Sequence, residues 1–157
     1  MFFIVRGCRD NMGIDLCLKF TNGCYADATT VNAYYDHMAA KEREYYPADA
    51  DEDLHANFER RIDLEISRER EEGTPICERW LSRVSNANIQ MDDLFDSSSD
   101  PVIYGEDIQT FIGRLREGKE QMKRRGDADK WERYFELQLI TLCEFALEHD
   151  YGVEFNV

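Results

Sequence analysis

Ile14-Asp15-Leu16-Cys17-Leu18-Lys19-Phe20 decides the fold, because Ile14, Leu16, Leu18 and Phe20 alternate with Asp15, Cys17 and Lys19. Successive side chains of an extended strand point to opposite faces, so a period of two marks a strand half-buried against a core. Asn22-Gly23 follows, the pair best suited to a two-residue turn that needs positive φ. Cys24-Tyr25-Ala26-Asp27-Ala28 then reads as the returning strand. Phe2 to Val5 reads as another strand, while Met12-Gly13 offers an alternative start that would make residues 1–11 dispensable. At the far end Val153, Phe155 and Val157 alternate after Gly152, which predicts a short strand rejoining the N-terminal sheet.

Helical spacing fills the interval between these strands. Thr29 or Thr30 can cap a helix carrying Val31, Tyr34, Tyr35 and Met38 on one face and ending before Pro47. Asp51 or Asp53 can cap a second, with Leu54, Phe58, Ile62 and Ile66 at a spacing of four and Arg61–Glu65 on its outer face. Gly73 stops it. Thr74-Pro75 suits the start of a third, with Ile76, Trp80, Leu81 and Val84 as its buried stripe. Residues 85–103 are rich in Asn, Ser and Asp and read as the main loop. Ile108, Phe111, Ile112, Leu115 and Met122 predict the next helix, weakened by Gly113 and Gly118 at about 1 kcal/mol each relative to Ala. Asp129-Lys130-Trp131-Glu132 fits a capping box. The helix after it is apolar on most sides, with Trp131, Phe135, Leu139 and Leu142 on one face and Leu137, Ile140 and Leu147 elsewhere, so it belongs at the centre of the core. The expected fold is α+β: one domain over 1–157, a small antiparallel sheet from N-terminal strands plus a C-terminal strand, packed on four to five helices.

A chain of 157 residues with 43% hydrophobic and 12% aromatic content can build a real core. It contains no apolar run long enough for a transmembrane helix and no signal-peptide pattern at Met1–Arg6. Five cysteines (Cys8, Cys17, Cys24, Cys77, Cys143) make an odd count without a C-x-x-C pair. They read as reduced small hydrophobes in a cytoplasmic protein, although Cys17 and Cys24 flank the predicted turn closely enough to meet.

Catalytic signatures are missing. There is no G-x-x-x-x-G-K-[ST] phosphate loop, no G-x-G-x-x-G and no G-x-S-x-G. Asp49-Ala50-Asp51-Glu52-Asp53 opens like a calcium loop, but its sixth position is Leu54 rather than Gly and its twelfth is Arg60 rather than Glu. His37, His55 and His149 are too far apart in sequence to form a helical zinc pair. We therefore expect no metal, no cofactor and no assigned catalytic residue. Were the protein a small enzyme with dispersed residues, Cys143, His149 and Glu144 in its apolar run would be the first to test.

Charge is the remaining signal. The chain carries 33 Asp+Glu and 19 Lys+Arg, for a net of −14. Residues 48–100 hold 15 acidic and 6 basic side chains, whereas residues 1–47 hold 6 and 5. Such a field repels nucleic acid and anionic membranes and draws in basic partners. Asp49, Asp51, Glu52 and Asp53 open one helix, and Asp92, Asp93, Asp96 and Asp100 surround Leu94 and Phe95 in the loop. An apolar anchor ringed by carboxylates suits docking on a basic protein. The expected partner is a basic protein, such as a nuclease or nucleic-acid-binding complex, inhibited by occupation of its positive groove. Bacterial immunity proteins for nuclease toxins and phage-encoded blockers of nucleic-acid-guided defence are similar in kind: small, acidic and motif-poor. An adaptor that forms a homodimer through its helices is the further alternative.

Overall fold

β1 (Ile14–Lys19) forms where the alternation predicts it, with Leu16 and Leu18 fully buried. The structure, a computed structural model, describes residues 14–20, 26–45, 75–81, 84, 87, 89, 92–94 and 101–156. Of the expected return strand, Cys24 and Tyr25 lie outside the described residues and Ala28 opens a helix instead. The Thr30 backbone N–H donates to Asp27 Oδ1 over 2.9 Å, and α1 (Ala28–Tyr45) begins beside it. Asp27 is thus the cap that was expected at Thr29 or Thr30, since a carboxylate two or three residues ahead of a free backbone N–H satisfies it equally well. Val31, Tyr34, Tyr35 and Met38 of α1 are buried as their spacing requires. The Asn22-Gly23 turn, the Phe2–Val5 strand and the helix over Leu54–Ile66 lie outside the described residues.

The partners of β1 come from farther along the chain. β2 (Cys77–Trp80), β3 (Val102–Ile103) and β4 (Gly152–Asn156) complete an antiparallel sheet in the order β2-β1-β4-β3. The C-terminal strand does rejoin β1, and it occupies an inner position: Leu18 pairs with Val153 and Leu16 with Phe155. β3 lies inside the expected loop, which also holds a 3-10 turn at Asp92–Leu94.

β2 corrects the expected third helix. Ile76, Trp80 and Val84 are spaced by four, which satisfies a helical stripe and a two-residue strand period equally. Burial decides it: Ile76, Glu78 and Trp80 point inward while Arg79 is exposed. The inward position of Glu78 hides the alternation, because a charge stands where a strand would carry an apolar residue. Tyr34 satisfies that carboxylate, its hydroxyl donating to Glu78 Oε2 over 2.7 Å.

The cysteines need correction too. Cys17 and Cys77 are register partners on β1 and β2 and form a disulfide. Neither is the reduced residue expected, and Cys17 is not drawn to Cys24. Cys143 is a buried free thiol.

Among the described residues three helical rods cover the sheet; of the four to five helices expected, the one over Ile76–Val84 gives way to β2 and the one over Leu54–Ile66 lies outside those residues. α1 is the first and α2 (Glu106–Arg124) the second. The third runs without a break through α3 (Ala128–Arg133), a π-helical segment (Tyr134–Leu139) and α4 (Ile140–His149). Trp131, Phe135, Leu137, Leu139, Ile140 and Leu142 are all buried, so this last rod is the central helix that its apolar residues imply. The capping box does not form. The helix starts at Ala128 after Asp127, which makes no side-chain cap hydrogen bond. Glu132 reaches across to Lys123 instead.

Candidate functional site

α2 and the third rod are antiparallel, joined by a tight turn with Gly126 at φ 123° and Asp127 at φ 56°. That register lines cations up against carboxylates. Lys123 Nζ stands 3.3 Å from Glu132 Oε2, and Lys119 Nζ 2.8 Å from Glu136 Oε2. Arg116 reaches Glu136 Oε2 at 3.3 Å and Glu144 Oε2 at 3.5 Å. Lys41 joins from α1, 2.7 Å from Glu144 Oε1 and 3.7 Å from Glu136 Oε1.

Glu136 is the centre of this network, only 2% exposed and inside the π-helical segment. An extra residue in a helical turn leaves a carbonyl out of the regular ladder, and the Thr141 hydroxyl donates to Glu136 O over 2.8 Å. Burial pushes the Glu136 carboxyl up. Hydrogen bonds from Lys119 and Arg116, with the charges of Lys119 and Lys41, together outweigh that and hold it below its ordinary value. A buried carboxylate is tolerated here because cations from two helices meet it. The sequence carried a signal for Glu136 that charge counting passed over: it lies between Phe135 and Leu137 in a helix apolar on most sides.

The network pairs cations of α1 and α2 with carboxylates of the third rod. Around the α2–α3 turn the exposed cations Arg124, Arg125 and Lys130 are interleaved with the exposed acids Glu120, Asp127 and Asp129. Glu106, Asp107, Glu148 and Asp150 are exposed at the other end, where the first turn of α2 meets the last turn of α4. Tyr104 lies at that acidic end, 56% exposed. The pairing of Val102 with Glu154 and Ile103 with Val153 sets Tyr104 opposite Gly152. A Cβ at Gly152 would fall 2.5 Å from Tyr104 Cε1, so the phenol ring lies directly over the glycine. Glu106 and Asp107 follow Tyr104 after Gly105, Asp150 lies two residues before Gly152, and Glu154 is the next same-face residue of β4. Lys19 is the cation opposite Gly152 on β1.

No protein-family model, curated protein or solved structure matches this chain.

The surface expected from sequence is only partly among the described residues. Asp49, Asp51, Glu52, Asp53, Phe95, Asp96 and Asp100 lie outside them. Asp92 and Asp93 open the 3-10 turn. Asp93 accepts a two-armed hydrogen bond from Arg114, at 2.7 and 3.0 Å, and that bond holds its carboxyl below the usual value. Leu94 is half-buried against the core rather than standing free as an anchor. An aromatic beside carboxylates does occur on the described surface, at Tyr104.

The residues singled out for catalysis have separate engagements. Cys143 is fully buried, and burial pushes its thiol up, away from the reactive thiolate. Glu144 belongs to the ion-pair network. The His149 ring packs 4.2 Å from that of Phe145 and stacks with Tyr151. Among the described residues no group of three His, Cys, Asp or Glu is placed to hold a metal ion, and no helix is long and apolar enough to cross a membrane.

Proposed function

We propose that this chain is an acidic binding protein that docks on a basic, nucleic-acid-handling protein and blocks it. The observation that carries this is Tyr104, more than half exposed and near Glu106, Asp107 and Asp150 in sequence and strand register, all three of them exposed. An exposed phenol supplies contact area at low entropic cost, and surrounding carboxylates steer a positive groove onto it. The sequestration of Lys41, Arg116 and Lys119 against Glu132, Glu136 and Glu144 keeps that field from being neutralised locally. Asp92, Asp93, Asp96 and Asp100 add to the net negative charge.

The experiment is capture of basic proteins from the native host on immobilised protein, compared with Tyr104→Ala and with the reversal Glu106→Lys/Asp107→Lys. The expected result is a nucleic-acid-binding protein held by the wild type, lost from both variants, and unable to bind nucleic acid once captured. A parallel reversal of Asp92, Asp93 and Asp96 to Lys measures what the loop contributes. Equal capture by wild type and the Tyr104-face variants, or a captured protein whose nucleic-acid binding is undisturbed, overturns the proposal.

A further inference from the structure

A cavity of about 350 Å³ opens between the end of β2 and the third rod, lined by Arg79, Leu81, Lys130, Arg133, Tyr134 and Gln138. Three of those six are cations and none is acidic, in a chain whose net charge is −14. The rod supplies Lys130, Arg133, Tyr134 and Gln138 from one face, at spacings of three, four and eight. Tyr134 and Gln138 belong to the π-helical segment, a distortion that recurs at functional sites because it re-aims side chains. The far wall is fixed by the Tyr134 hydroxyl, which donates to Arg79 O over 2.6 Å and accepts from Leu81 N at 3.0 Å. Lys130 is braced as well, its ammonium 5.6 Å from the Trp131 ring centroid. Carboxylates compete with a ligand here: Asp15 pairs with Arg79 in the strand register, and the charges of Glu78 and Asp15 both act on Tyr134.

We propose that this cavity binds a small phosphate monoester carrying a planar body, of the nucleoside monophosphate class. Arginine and lysine are the side chains suited to a phosphate, and Lys130 and Arg133 reach it from consecutive turns with Arg79 opposite. Leu81 and the Tyr134 ring offer apolar surface to the planar body, and the Gln138 amide both donates and accepts at its edge. The volume is at the lower end of the range for small-ligand sites, which fits one nucleotide and excludes a dinucleotide.

The test is titration of the full chain with adenosine 5′-monophosphate, followed by amide chemical shifts and calorimetry, alongside adenosine, ribose 5-phosphate and inorganic phosphate. We expect saturable binding at or below about 1 mM for the monophosphate, with each of the other three at least about tenfold weaker. Lys130→Gln and Arg133→Gln should each weaken binding by about tenfold, whereas Arg124→Gln, an exposed cation outside the cavity, should leave it unchanged. Lys130 is exposed, so its substitution tests the site even if Arg133→Gln disturbs folding. No saturation by about 10 mM, inorganic phosphate binding as tightly as the nucleotide, or an equal loss in Arg124→Gln overturns the proposal.

Discussion

The Tyr34 hydroxyl donates to Glu78 Oε2 over 2.7 Å between side chains 44 residues apart, both buried beneath the sheet. The bond ties α1 to β2 and accounts for a carboxylate in an inward strand position, where it would otherwise be costly.

Tyr34→Phe should therefore lower stability by about 1.5–3 kcal/mol, the usual worth of a buried hydrogen bond to a charged group. Adding Glu78→Leu to that variant should recover part of the loss, because the carboxylate whose donor was removed is then absent. Urea unfolding of the two single variants and the double variant measures the coupling. A change under about 0.5 kcal/mol in Tyr34→Phe would show that the bond ties nothing.

The two glycines of α2 should respond in opposite directions. Gly113 is exposed, and a Cβ there would meet nothing within 4 Å. Gly113→Ala should stabilise the protein by about 0.5–1 kcal/mol through helix propensity alone. At Gly118 the new Cβ would fall 2.6 Å from Ile89 Cδ1 and 2.7 Å from Cγ1, so Ile89 must move. Gly118→Ala should lose on the order of 1 kcal/mol once overpacking offsets the propensity gain. Thermal midpoints should then move by roughly 2–4 °C, upward for one variant and downward for the other. A rise in both would mean that Ile89 yields freely.

Where the apolar pattern had a single period, local structure was legible. Leu16–Leu18, the Ile108–Met122 stripe and Val153–Phe155 all lie where spacing puts them. The pattern misled at Ile76–Val84, because a spacing of four fits a strand as well as a helix and the inward Glu78 broke the alternation. Strand order was legible only in the return of the C-terminal strand to the N-terminal sheet. Nothing local tells Leu16 that its neighbours are Glu78 and Phe155 rather than the residues just beyond Asn22-Gly23. The candidate surface had the same limit. An aromatic among acids is expected at Phe95, which lies outside the described residues. Tyr104 acquires its setting from the pairing of β3 with β4 and from the absence of a side chain at Gly152, neither of which a charge count contains.

Acid should loosen the interhelical network. The Glu136 carboxyl is held below its ordinary value of 4.5, so folding favours its charged form. The stability it contributes is fully present above pH 4.5 and is lost as pH falls through the lower folded-state value. Glu136→Gln should cost roughly 3 kcal/mol at neutral pH, because Lys119, Arg116 and Lys41 then face an uncharged amide. Its deficit relative to wild type should shrink in acid, below the ordinary carboxyl range. A deficit that stays constant from neutral pH into acid would place the effect in packing and remove the charge network as its cause.

The Cys17–Cys77 bond makes the last test, because it joins an inner strand to an edge strand across 60 residues of chain. Closing a loop of that length restricts the unfolded chain enough to contribute about 4 kcal/mol in the chain-entropy account, and less where the folded geometry resists. Reductant should therefore lower the unfolding midpoint of the wild type. Cys17→Ala/Cys77→Ala should start from the lowered midpoint and no longer respond to reductant. Among the described strands β2 pairs with β1 alone, so its amides should show the largest gain in hydrogen exchange on reduction, ahead of those of β4, which pairs on both sides. Equal midpoints with and without reductant, together with unchanged exchange in β2, would show that the strand pairing holds that edge without the covalent link.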